Sequence, residues 1–184
     1  NITGGSGTVG AAELANEDPD GYTIGFVPTA SMALTPLFVD GANYTVDDFD
    51  YICGFGQYGY GIVVNNDSEF KSMDDVIAAM KKGTLKFGIT GYPQPFAMYE
   101  LANQVGGSVE AVSYPSTTDM ITDVMGGFLD ICVADEASFA AYVRSGDVTL
   151  LAGCCEDRWI SGPDVPTLLE LGYDVKLEAY LAMV

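Results

Sequence analysis

Residues 86–135 read KFGITGYPQPFAMYELANQVGGSVEAVSYPSTTDMITDVMGGFLDICVAD, and this stretch decides the fold. One pattern recurs through it: a short apolar strand, a loop of small residues, then an amphipathic helix. Strands are expected at Leu85–Thr90, Val109–Ser113 and Leu129–Ala134. Met98, Leu101, Ala102 and Val105 form one apolar helical face, and Met120, Ile121, Val124 and Met125 form another. Gly106-Gly107 and Gly126-Gly127 stop those helices. Strands that alternate with helices imply a parallel sheet, because parallel neighbours need a crossover connection.

The same pattern extends outward. Tyr60–Val64 reads as a strand, and Ser72-Met73-Asp74-Asp75 as a capping box opening a helix with Met73, Val76, Ile77 and Met80 on one face. Downstream, a helix through Arg144 ends at Gly146, and Val148–Ala152 is a further strand. Five strands with four crossovers make a self-contained α/β unit, expected at residues 57–152. The flanks are weaker. Residues 1–56 offer a glycine-rich opening, a helix from Val9 to Asn16, a turn at Pro19-Asp20-Gly21 and a strand at Tyr22–Val27. Residues 153–184 offer a proline-flanked helix around Thr167–Leu171 and a final strand. Neither flank is a domain alone, so the two together are expected to form a second, discontinuous lobe.

Composition excludes several classes. Hydrophobic residues make up 48% of the 184 residues and charged ones 18%, which is not a disordered chain. A net charge of -19 repels nucleic acid and anionic membrane surfaces alike. The uncharged run Gly21–Val39 approaches the length of a membrane span, but Pro28, Pro36, Thr29, Ser31 and Thr35 interrupt it. No secretory segment opens the chain, so a cytosolic protein or a mature form without its signal is expected. There is no histidine, and Cys53, Cys132, Cys154 and Cys155 lack CxxC spacing, so neither a metal centre nor a cofactor is expected. Cys53 and Cys132 read as packed small hydrophobes, while a bridge from Cys53 to Cys154 or Cys155 stays open.

Candidate motifs divide unevenly between function and structure. Gly5-Ser6-Gly7-Thr8-Val9-Gly10 matches GxGxxG, yet no strand precedes it and no acidic residue closes the next strand. A glycine-rich helix start packed against a neighbour explains it better. Asn16–Gly21 mimics half a calcium loop, but the twelfth position is Val27, and a turn before a strand suffices. Asp135 ends a buried-looking strand, where it serves either a ligand or a helix cap. With no histidine and no lysine in a strand-end loop, no nucleophile–base pair is available and no enzyme is expected.

The run Asn1-Ile2-Thr3-Gly4-Gly5-Ser6-Gly7-Thr8-Val9-Gly10-Ala11, then Pro19-Asp20-Gly21-Tyr22-Thr23, Asp123-Val124-Met125-Gly126-Gly127 with Asp130, and Pro163-Asp164-Val165-Pro166-Thr167 resembles the solute receptors of tripartite tricarboxylate transporters, the Bug or TctC-type family. The resemblance implies an α/β, two-lobed periplasmic-binding-protein-like (Venus flytrap) fold with parallel-rich sheets, one lobe incomplete in this chain. It implies a periplasmic or lipid-anchored monomer that captures a small carboxylate for membrane permease subunits. Carried over by position, the ligand loops fall at Pro28, Thr29, Ala30 and Ser31, at Thr90, Gly91, Tyr92 and Gln94, at Ser116 and Thr117, and at Asp135. The chain departs from the family where Tyr92, Pro93, Gln94 and Pro95 replace small residues, and where the glycine-rich loop after the first strand is missing. Family members extend further at both ends.

These loops contain no Lys or Arg. An oxyanion there is expected to rest on backbone N–H groups at helix starts, which carry a partial positive charge. The hydroxyls of Thr29, Ser31, Thr90 and Thr117 would assist. An amino acid ligand is the alternative, with Asp135 pairing its ammonium and Tyr58, Tyr60, Tyr92 or Phe96 covering it. A ligand-sensing regulatory domain of the same two-lobed fold is the other.

Overall fold

The computed structural model describes every residue except Asn1 and Thr3, and every remaining side chain except those of Ser6 and Tyr58. Asn1 and Thr3 of the opening motif and the Tyr58 ring named above therefore lie outside the described residues. In chain order the elements are α1 (Thr8–Ala15), β1 (Phe26–Pro28), α2 (Thr29–Ala33), α3 (Thr35–Phe38), β2 (Cys53–Asn65), α4 (Met73–Lys82) and β3 (Thr84–Ile89). There follow α5 (Pro95–Val105), β4 (Ser108–Ser113), α6 (Thr117–Met125), β5 (Ile131–Asp135), α7 (Glu136–Ser145), β6 (Val148–Gly153) and β7 (Glu178–Met183). They divide into two compact units, residues 1–57 with 179–184, and residues 58–178.

In the first unit β1 pairs antiparallel with β7, Phe26 facing Met183 and Pro28 facing Leu181. The strand expected at Tyr22–Val27 begins only at Phe26. Tyr22 is instead held in a turn, its N–H donating to Asp20 Oδ1 at 3.0 Å, and its ring is 92% exposed. Gly7 caps α1 with φ 90°, and a Cβ there would strike the Ser31 side chain. This is the close packing expected of the glycine-rich helix start. Ala11, Val27, Met32, Tyr44, Phe49, Ala182 and Val184 form this unit's core.

The second unit carries the repeat. Its strands lie in the order β6-β2-β5-β3-β4. β3 runs parallel to β4, from Thr84 against Ser108 to Ile89 against Ser113, and parallel to β5 at Gly88–Cys132. The unit is parallel-rich, as expected, with the exception of β2, which runs antiparallel to β5 and β6. An apolar strand pattern encodes burial on both faces but not direction, so β2 looked like its neighbours. The Ser72–Asp75 capping box opens α4 as expected, with both reciprocal bonds present.

Residues 153–178, expected with the discontinuous lobe, belong to this unit. Leu168 N–H donates to Gly153 O at 2.8 Å, and Gly153 N–H to Pro166 O at 3.0 Å. Trp159, 1% exposed, joins the core of Val63, Met120, Val124, Cys132, Phe139 and Leu150. Its indole lies against β2, where a Cβ at Gly61 would stand 2.8 Å from Trp159 Cζ2, and its Nε1 donates to Tyr60 O at 3.2 Å. The apolar periodicity of this segment is too broken to advertise that packing.

All four cysteines are free, so the alternative of a Cys53 bridge is not formed. Cys132, Cys154 and Cys155 are buried, but Cys53 is exposed, against the expectation that it packs inside. It stands at the start of β2, ahead of the residues that β5 and β6 cover. Among the described residues no helix is long and apolar enough to cross a membrane, and no cluster of three or more acidic or cysteine side chains is placed to hold a metal.

A water-soluble thiol reagent should therefore titrate Cys53 rapidly in the native protein and the three buried thiols only on unfolding. More than one fast thiol would contradict the burial. Phe139 is fully buried, and Phe139→Ala should cost about 3–5 kcal/mol in urea denaturation. A loss below about 1 kcal/mol would contradict the packing of this core.

Candidate functional site

β3, β4 and β5 run in one direction, so their carboxyl ends and the loops that follow share one edge of the sheet. Ligands of open α/β sheets sit at that edge. Because β3 lies between β4 and β5, the Thr90–Gln94 loop is flanked by the Ser116 loop and by Asp135. The structure thus brings Thr90, Gly91, Tyr92, Gln94, Ser116, Thr117 and Asp135 to one edge of the second unit. Pro28, Thr29, Ala30 and Ser31 belong to the first unit.

In the loop after β3, Gln94 organises the backbone. Its Oε1 accepts from Thr90 N–H at 2.6 Å, from Gly91 N–H at 3.2 Å and from the Thr90 hydroxyl at 3.1 Å. The Thr90 and Gly91 N–H groups, part of the expected anion cradle, are thus already spent on a neutral amide oxygen. The start of α5 offers little more: Pro95 at its first position has no N–H, and Phe96 N–H donates to Pro93 O at 3.0 Å. Tyr92-Pro93 is a cis peptide, and the Tyr92 and Phe96 rings lie 5.7 Å apart.

After β4, Tyr114 N–H donates to Ile89 O at 2.8 Å, tying this loop to β3. The Tyr114 hydroxyl donates to Asp123 Oδ2 at 2.9 Å, and burial, with help from that carboxylate, raises its pKa. Ser116 caps α6: its Oγ accepts from Asp119 N–H at 3.1 Å and donates to Asp119 Oδ2 at 2.7 Å. A side-chain cap of this kind satisfies one of the four unpaired N–H groups of a helix start. Thr117, half-buried, is the first helical residue.

After β5, Asp135 caps α7, its Oδ1 accepting from Ser138 N–H at 2.9 Å. The cap reading of Asp135 is thereby realised. Burial drives the Cys132 thiol far above its ordinary value, with Asp135 adding to the shift, which makes Cys132 inert as a nucleophile. Cys155 is likewise pushed up to about 11, mainly by burial. Glu136 accepts from Ser161 N–H at 2.8 Å and fastens the Trp159 segment to the first turn of α7.

In the first unit, Thr29 opens α2 with its hydroxyl donating to Tyr180 O at 3.2 Å. Ala30 and Ser31 are buried, and Ser31 O accepts from the Tyr44 hydroxyl at 2.5 Å.

The strand-end loops of this edge, residues 90–94, 114–117 and 135, contain no Lys or Arg. Lys86 pairs with Glu110 at 3.8 Å, both side chains exposed, Arg158 with Glu170, and Lys176 with Glu156 and Glu178. The edge offers amides, hydroxyls and carboxylates, which can hold a polar molecule by hydrogen bonds. Sequence reasoning missed the internal role of Gln94 and the Tyr114–Asp123 bond. The first had a signal: an amide side chain three and four residues after Gly91 and Thr90, close enough in sequence for its oxygen to accept from their N–H groups.

The profile of the tripartite tricarboxylate transporter family receptor matches residues 1–184. The chain is 32% identical over 180 residues to the UPF0065 protein in gbd 5'region of Cupriavidus necator, covering 95% of this chain and 54% of that protein. It is 26% identical over 179 residues to BugT of Bordetella pertussis, covering 94% and 55%. The chain spans about half the length of these curated relatives. Among solved structures, an R. palustris protein with adipate superposes with a TM-score of 0.90 at 20% identity, covering all of this chain and 63% of that one. MatC from Rhodopseudomonas palustris with bound malate gives 0.84 at 18%, covering 100% and 64%. The structural likenesses establish an α/β fold with a mixed sheet, of which this chain is a part. On the full-length match of its sequence, the chain belongs to the tripartite tricarboxylate transporter receptor family.

Proposed function

We propose that this protein is an extracytoplasmic solute receptor that captures a small carboxylate and delivers it to the permease subunits of a tripartite tricarboxylate-type transporter. The observation that carries the reading is the match of the whole chain to the receptor family. The chemistry of the strand-end edge agrees with it. The Gln94 amide and the helix starts capped by Ser116 and Asp135 supply hydrogen bonds at an edge with no His, Lys or Cys in its loops to make a nucleophile–base pair. Two structural relatives are described with malate and adipate, both dicarboxylates. Such a protein works as a monomer outside the cytoplasmic membrane and returns its ligand unchanged.

Recognition without cations follows from the fixed dipoles of the edge, and dipoles in a shielded site are screened by salt less than exposed charges are. Calorimetric titration of the intact protein with malate and adipate should show saturable binding of at least one, nearly equal at low and physiological ionic strength. Mass analysis after prolonged incubation should recover the acid intact. A steep salt dependence would point to Lys or Arg as the carboxylate partner, and a turned-over product would end the receptor reading.

A second reading, an amino acid ligand, is favoured by the Asp135 carboxylate at the same edge. Asn caps helices as well as Asp does, so Asp135→Asn isolates the charge. A carboxylate without an amine should bind the variant as well or better. An amine-bearing ligand paired with Asp135 should lose about 1.5–3 kcal/mol. Calorimetry on both ligand types separates the two readings, and unchanged affinity for both would place Asp135 outside the site.

A further inference from the structure

Gln94 is 4% exposed, a degree of burial at which a carboxamide is ordinarily paired at both ends. Its oxygen end is more than satisfied, by two backbone N–H groups and a hydroxyl. Backbone N–H groups only donate, so the oxygen and not the nitrogen faces them, which fixes the amide's orientation. Nε2 with its two N–H bonds is therefore turned away from the loop, and no described residue accepts from it. Nor is it sealed: among the described residues, Ser161 Oγ is the fully enclosed side-chain atom that lacks a partner. A neutral donor pair is thus held rigidly and within reach of solvent on the central loop of the strand-end edge, between Ser116 and Asp135.

We propose that Gln94 Nε2 is the group by which this unit selects its ligand, donating to an oxygen of the bound carboxylate. The proposal rests on the carboxylate-receptor reading above and names the atom that enforces it. Three donors drawing on Oε1 polarise the amide and strengthen its N–H bonds as donors. Because the side chain is already immobilised, little rotamer freedom is lost when the ligand arrives. An N–H pair accepts no proton donor, so an ammonium presented at this point is rejected while carboxylate and carbonyl oxygens are accepted. Gln94 also explains how the loop recognises an anion although its own backbone N–H groups are occupied.

The clean variant is Gln94→Glu. It keeps an oxygen for Thr90 and Gly91 and replaces the outward N–H pair with a second acceptor. Gln94→Met fills similar space and removes both functions. The intact, ¹⁵N-labelled protein is titrated with malate and adipate, its Gln94 side-chain amide resonances being identified by their loss in Gln94→Met. The wild-type amide resonances should shift to saturation along the calorimetric isotherm. Gln94→Glu should melt within a few degrees of wild type yet bind the acid at least about tenfold more weakly. Unmoved amide resonances at saturation, or unchanged affinity in Gln94→Glu, would overturn the role of Gln94 and leave the receptor reading standing. If the wild type bound no carboxylate in a broad panel of mono-, di- and tricarboxylates, the receptor reading would fall, and this proposal with it. Should Gln94→Glu fail to fold, the wild-type amide shift alone decides.

Discussion

In the second unit β2 must satisfy two strands at once. It pairs with β5 along Tyr60–Val64 and with β6 along Gly61–Asn65, both antiparallel, so each face and each edge of this segment is enclosed by protein. Ile62, Val63 and Val64 are fully buried as a result. The remaining geometry follows from that pairing. β5 is set in place for β3 and β4 to join in parallel, and the Trp159 indole has a flat seat because Gly61 carries no side chain. A bulkier residue at position 61 would displace the indole, and with it the segment that carries Gly153 to Leu168.

How much of this was legible follows from which interactions are local. Helix periodicity and caps are written within a few residues, so α4 with Ser72 and Asp75, α6 with its stop at Gly126, and the strands β3 to β6 could be read directly. Strand direction and long-range packing are not local. β2 shares its apolar pattern with the parallel strands, and Trp159 reaches Tyr60 O across 99 positions. Cys53 misled for a related reason: its apolar neighbours indicate a strand, but burial depends on how far the partner strands extend.

The candidate edge was legible in outline, since strand-end loops follow from the βα repeat. Its detailed chemistry was not. Reading Thr90 and Gly91 as open donors ignored the competition of a nearby side chain, and Gln94 wins it because it lies three to four residues away. Ser116 and Asp135 make equivalent local bonds to Asp119 and Ser138. Two helix starts that look open in the sequence, those of α6 and α7, each have one N–H group taken by their own cap in the folded chain.

That self-sufficiency has an evolutionary consequence. Each loop at this edge is braced by a side chain of its own segment, Gln94, Ser116 or Asp135, so its local form does not wait on a ligand. Substitutions at half-buried loop positions outside these braces, such as Thr117, can accumulate without unravelling the strands beneath. One scaffold can then vary the ligand it meets at low cost to its own persistence.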